Sequence, residues 1–194
     1  MEIGATKAVQ DRLKTTKIEE SKGASLVFCW DTHLTKIKGR NVLFIVNASN
    51  RYTIAMTDIE PRNWNYYTIY IGRVIHGVMQ KMGYSEEQIA QYFKMSGDMI
   101  VTKTHGKKSV GGINRMVTDA QYFDKKLEKD TKYQWELSEY LNRDICQPEG
   151  FDAYGYPSEL FKLDMERLGI IPKRKPAKII DFTKYIDTNR SSNH

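Results

Sequence analysis

Cysteine is scarce in this chain: 194 residues contain two, Cys29 and Cys146. Two thiols so far apart cannot build a disulfide framework or a paired zinc-binding spacing, so both read as buried free thiols of a reducing compartment. Cys29 lies in "SLVFCW", which has the composition of a core strand. Long apolar runs are missing too. None approaches the ~20 residues that cross a bilayer, and the opening "MEIGATKAVQDRLK" has no apolar signal region. The chain is therefore expected in the cytoplasm, away from membranes, with no glycan on Asn47 of the sequon-like "NAS". The short catalytic signatures are also lacking. There is no H-x-x-x-H, H-E-x-x-H or G-x-S-x-G, and no G-x-G-x-x-G. No metal and no cofactor are expected from these patterns.

What is present suits a folded, mildly basic protein. Hydrophobic residues make up 40% and charged residues 28%, which is enough for one globular unit with its own core. Aromatic and β-branched residues run throughout and set disorder aside. The net charge of +6 and a pI near 9.1 favour an anionic partner, nucleic acid foremost.

Residues 25–57 read as three strands, "SLVFCWDTHLTKI", "VLFIV" and "RYTIAM", joined by the turns "KGRN" and "NASN". After Pro61 the period changes. Trp64, Tyr67, Ile71, Val74, Ile75, Val78 and Met82 recur at helical spacing, and Gly83 closes that helix. Ser85 and Gln88 form a capping box for the next one. "DMIVTKT" returns to a strand, and Gly111–Gly112 are expected to open a helix with the apolar stripe Ile113, Met116, Val117, Ala120, Phe123 and Leu127. Further helices are expected over 131–145 and at "SELFKLDMERLG", followed by the basic "KRKPAK". The fold class is α+β: an antiparallel β-sheet (meander) with α-helices packed mainly on one face. Residues 1–127 form the α+β domain, and 128–194 a C-terminal helical extension with a basic tail.

The stretch "VTKTHGKKSVGGINRMV" carries the functional question. It is no Walker A loop, because Val101 stands where that motif needs its first glycine and Lys107 precedes Lys108. A helix beginning near Gly112 would offer unpaired amides and the positive end of its dipole to an anion. Lys103, His105, Lys107 and Lys108 would surround that point, with the Ser109 hydroxyl beside it and Arg115 in the first turn. A phosphate would relieve the conflict between Arg115 and the dipole. These seven positions, Gly112 included, are the candidate nucleic-acid-binding residues. The plainer alternative is that Ser109 caps the helix and the lysines are solvated.

Three segments, "TKAVQDRLK", "FCWDTHLTKIKGRNVLFIVNASNRYTI" and "KKSVGGIN", resemble in this order an uncharacterised family of bacteria and mobile elements, DUF6933, over about residues 1–123. The family pattern is a tryptophan followed by a short polar run and Leu, an arginine-started strand ending in Asn, and a serine–glycine–asparagine helix start. Here His33 takes an asparagine-like position, and "SVGGIN" is one residue shorter than the family spacing. The resemblance implies no activity. Its context, plasmids and phages, suggests an antagonist of bacterial immunity such as an anti-CRISPR protein.

The leading expectation is thus a nucleic-acid-directed protein, RNA in preference to DNA, of a mobile element. A second is a small metal-independent ribonuclease, with His33 and His105 as base and acid and a lysine stabilising the phosphate. A third is a protein-binding module that engages a protein of a host defence complex and never touches nucleic acid. Tyr66 and Tyr70, four apart, offer a stacking face for bases.

Overall fold

The computed structural model describes residues 1–13 and 16–173. A five-stranded sheet carries the fold, in the order β4-β3-β2-β1-β5. Its strands are β1 (Glu2–Ala5), β2 (Cys29–Ile37), β3 (Arg40–Asn47), β4 (Thr53–Thr57) and β5 (Ile100–Lys103). The strands β2, β3 and β4 pair antiparallel in sequence order, as the tight turns require. The sheet as a whole is mixed, not antiparallel. β1 lies between β2 and β5 and pairs parallel with both, Gly4 opposite Asp31 on one side and Thr102 on the other. Nothing local announces this pairing. It depends on two long connections: residues 6–28 place β2 on one side of β1, and residues 58–99 carry the chain from β4 at one edge of the sheet to β5 at the other.

Helices cover both faces, which corrects the one-sided expectation. The reason is visible in β3, where Val42, Phe44 and Val46 point to one side and Leu43 and Ile45 to the other, all buried. A run apolar on both faces needs a cover on both. On one side Leu43, Ile45, Ile3, Trp30 and Val101 pack with α3 (Tyr67–Lys81), α4 (Glu86–Ser96) and α7 (Pro157–Arg167). On the other, Val42, Phe44, Val46 and Ala55 pack with α5 (Gly106–Gln121) and α6 (Trp135–Asn142). Two short helices, α1 (Lys7–Gln10) and α2 (Pro61–Asn65), complete the elements. Segments beyond residue 127 enter both cores: Leu137 and Leu141 on one side, Phe161 and Met165 on the other. The tail "KRKPAK", apart from Lys173, lies outside the described residues, as does everything after it.

Local signals held where they were chemical. Ser85 caps α4 and Gln88 returns the reciprocal bond. Gly83, at φ +89°, follows α3. Asn47 is buried and ties the turn after β3: Nδ2 donates to the Val27 carbonyl, and Oδ1 accepts from the amides of Ser49 and Asn50. Its side chain is thus spent on structure. In the first core the Trp30 indole donates to the Tyr92 hydroxyl at 2.9 Å, which donates to the Val27 carbonyl at 2.7 Å. Both rings are buried. Tyr92→Phe leaves the buried indole N–H unpaired, while the Val27 carbonyl keeps its bond from Asn47, and is expected to cost about 1–3 kcal/mol, read by urea unfolding. A neutral result would remove this relay from the account of the core.

Candidate functional site

The helix expected to open at Gly112 opens six residues earlier, at Gly106. Gly106 takes φ +89°, the turn that a glycine can supply, and α5 then runs straight through Gly111 and Gly112. Two interior glycines weaken a helix, but Ile113, Met116 and Ala120 anchor this one in the second core. The correction moves the charges. Arg115 is no longer in a first turn. It lies mid-helix, 4.0 Å from Asp119 and 3.8 Å from Asp144.

The true head of α5 already faces a negative charge. Asp31, on β2 and wholly buried, accepts from the His105 amide and from the Ser109 hydroxyl. Ser109 therefore serves the helix head through Asp31 instead of capping a helix that starts at Gly112. The seat proposed for an external anion is filled by the protein's own carboxylate.

Around Asp31 the sheet assembles a polar cluster. Strand alternation puts Glu2, Gly4, Cys29 and Asp31 on the face that α5 covers, since Glu2 pairs with Cys29 and Gly4 with Asp31. His105 lies over them. Its Nδ1 is 2.7 Å from Asp31 Oδ1, and its Nε2 is 3.1 Å from Glu2 Oε2. The side chains of His105, Glu2 and Asp31 are 8%, 2% and 0% exposed. Gly4 makes this approach possible, because a Cβ there would fall 1.8 Å from Asp31 Oδ1 and 3.0 Å from His105 Nδ1. Burial alone would depress the imidazolium. The Asp31 hydrogen bond, with Cys29 adding to it, overrides that and raises the His105 pKa to about 10. Burial pushes the Glu2 carboxyl up, but bonds from Ser21, His105 and the amides of Lys22 and Ala24 bring it below its ordinary value. The Cys29 thiol donates to the Ala24 and Ser25 carbonyls at 3.6 and 3.5 Å. Glu2, Cys29 and His105 each present one metal-ligand atom, and these atoms all lie within 4.8 Å of one another. An open groove of about 640 Å³, lined by Ile18–Ser21 and Lys103–Gly106, reaches His105 from the outside.

The remaining candidate residues divide into groups. Lys103 and Lys107 are exposed at the end of β5 and the start of α5. Lys108 donates to the Pro148 carbonyl at 3.3 Å. Lys108, Ser109 and Gly112 line a small cleft of about 50 Å³ together with Arg51, Gln147 and Glu149. Arg51, held at φ +64°, lays its guanidinium stem over Gly112, 3.6–3.7 Å from where a Cβ would stand. His33 sits elsewhere on β2, 3.2 Å from the Thr6 hydroxyl, and burial lowers its pKa. Each of the two histidines thus has its own partner. Tyr66 is exposed while Tyr70 packs against the first core, so they present no common platform.

Sequence reading missed Glu2, Cys29, Asp31 and Arg51 as site residues. Glu2, the pair Cys29 and Asp31, and Arg51 come from three separate segments, and only the parallel pairing of β1 puts Glu2 beside Cys29. The one available signal was Asp31, a charge inside an otherwise strand-like run. A family model described as Domain of unknown function (DUF6933) matches residues 2–160. The chain belongs to this family. The DUF6933 match takes in Glu2, Cys29, Asp31, Arg51, His105 and Ser109, and extends through α6 into α7. No curated protein and no solved structure matches the chain. Among the described residues no helix is long and apolar enough to cross a membrane.

Proposed function

We propose that this DUF6933 protein binds single-stranded nucleic acid, RNA in preference to DNA, along the outer side of the first turns of α5. The observation that supports this is the convergence of Arg51 and Lys108 with Ser109 and Gly112 on one small cleft. Exposed Lys103 and Lys107 lie on the same stretch of chain. The anion site thus shifts from the helix head, which Asp31 occupies, to the side of the helix against the 47–51 turn. A cleft of about 50 Å³ suits one phosphate group and excludes a base, so backbone contacts would dominate and sequence preference would be weak. A flexible single strand can turn one phosphate into such a cleft. The ribonuclease alternative draws less support, because both ring nitrogens of His105 are held by the buried carboxylates of Asp31 and Glu2, and an imidazolium whose pKa is raised to about 10 gives up its proton poorly as an acid near neutrality.

Fluorescence anisotropy with a labelled single-stranded RNA tests the reading. Affinity is expected to fall steeply between about 50 and 200 mM salt, and Arg51→Gln with Lys108→Gln to reduce the salt slope by about one per charge removed. Binding that ignores salt would favour the protein-binding module directed at a host defence complex, since an apolar interface is insensitive to counterions. No binding of RNA at low salt would overturn the proposal.

A further inference from the structure

A second feature, independent of the basic cleft, is the buried trio Glu2, Cys29 and His105. Three donor types meet there: a carboxylate oxygen, a thiol sulfur and an imidazole nitrogen, all within 4.8 Å of one another. Each comes from a different segment, β1, β2 and the turn into α5, so sequence proximity does not explain the meeting. Glu2 Oε2 and His105 Nε2 already stand 3.1 Å apart. A tetrahedral ion with bonds of about 2.0–2.3 Å separates its ligand atoms by about 3.3–3.8 Å, so the sulfur has only a short distance to close.

The far side of the imidazole decides the matter. Asp31 holds Nδ1 at 2.7 Å, which fixes the ring and turns Nε2 toward Glu2. A carboxylate on one ring nitrogen and a metal on the other is the arrangement by which metal-binding histidines are oriented and made more basic. Gly4 clears the space that lets this carboxylate reach the ring. We propose that Glu2, Cys29 and His105 bind a single divalent transition-metal ion, zinc by the chemistry of the donors, with Asp31 as the positioning residue. Mixed sulfur, nitrogen and oxygen ligation suits zinc and disfavours magnesium or calcium, which take oxygen alone. Binding expels two protons to solvent, one from Cys29 Sγ and one from His105 Nε2, so the ion takes the place that a proton holds between His105 and Glu2 in its absence. Three protein donors leave one coordination position, and the groove beside His105 supplies an approach from solvent.

The test uses the full chain without an affinity tag, stripped with a chelator and dialysed. Titration with zinc chloride against a chromophoric competitor is expected to show one ion per chain. Cobalt chloride is expected to produce a near-ultraviolet thiolate-to-metal charge-transfer band. Cys29→Ser should abolish that band, while Cys146→Ser keeps it. Asp31→Asn should keep the band but weaken zinc binding about 10–100-fold, a change that simple loss of packing would not confine to affinity. Circular dichroism establishes that each variant is folded. Should Cys29→Ser fail to fold, the wild-type band and its survival in Cys146→Ser carry the test. A folded wild-type chain that takes up no stoichiometric zinc, or a Cys29→Ser protein that retains the cobalt band, overturns the proposal.

Discussion

Asp31→Ala is expected to lower the unfolding free energy by about 3–5 kcal/mol, measured by urea denaturation in the presence of a chelator. Asp31 is fully buried and is the shared acceptor for the His105 amide, the His105 ring and the Ser109 hydroxyl. Removing it leaves His105 Nδ1, the His105 amide and the Ser109 hydroxyl without their acceptor, with Glu2 alone still facing the imidazole ring through Nε2. The cost arises mainly from what is left unpaired, since breaking one side of a buried ion pair is far more costly than never having built it. Asp31→Asn should fall between wild type and alanine, because one oxygen still accepts while the charge is gone. A loss under about 1 kcal/mol for alanine would mean that Asp31 contributes no more than a surface pair and that α5 is held by its apolar stripe alone.

The second large effect is steric. Gly4→Ala puts a Cβ 1.8 Å from Asp31 Oδ1 and 3.0 Å from both Asp31 Cγ and His105 Nδ1. β1 is pinned on both sides by parallel neighbours, so the strand cannot retreat. The carboxylate must leave its place, taking the His105 contact with it. Overpacking with loss of a buried pair is expected to destabilise by about 3 kcal/mol or more. The stronger prediction concerns coupling. In an Asp31→Ala background the same methyl enters space the carboxylate has vacated, and Gly4→Ala should then cost less than about 1 kcal/mol. Residues in direct contact show such non-additivity. If the two substitutions simply add, the clash is not the cause.

Both predictions concern residues that sequence reading passed over, which shows where sequence reading stops. Signals that act within one turn of chain were legible. The Ser85–Gln88 box caps α4, Gly83 follows α3, and the two tight turns set the antiparallel pairing of β2, β3 and β4. The start of α5 was not legible, because Gly111 and Gly112 look like a helix opening and nothing nearby says that Ile113, Met116 and Ala120 hold the helix together across them. The mixed sheet was equally hidden. A four-residue strand such as β1 has too little pattern to declare its partners.

The sequence by itself determined the class of fold, the family, most element types, the apolar stripes and the exposed lysines before and within α5. These follow from periodicity, capping chemistry and composition, which act over a few residues. Only the tertiary structure decided that β1 lies between β2 and β5, and hence that Glu2, Gly4, Cys29, Asp31 and His105 share one buried spot. Parallel pairing joins segments separated by long connections, and its register is set by the burial of both sheet faces together. No local stretch of residues contains that information.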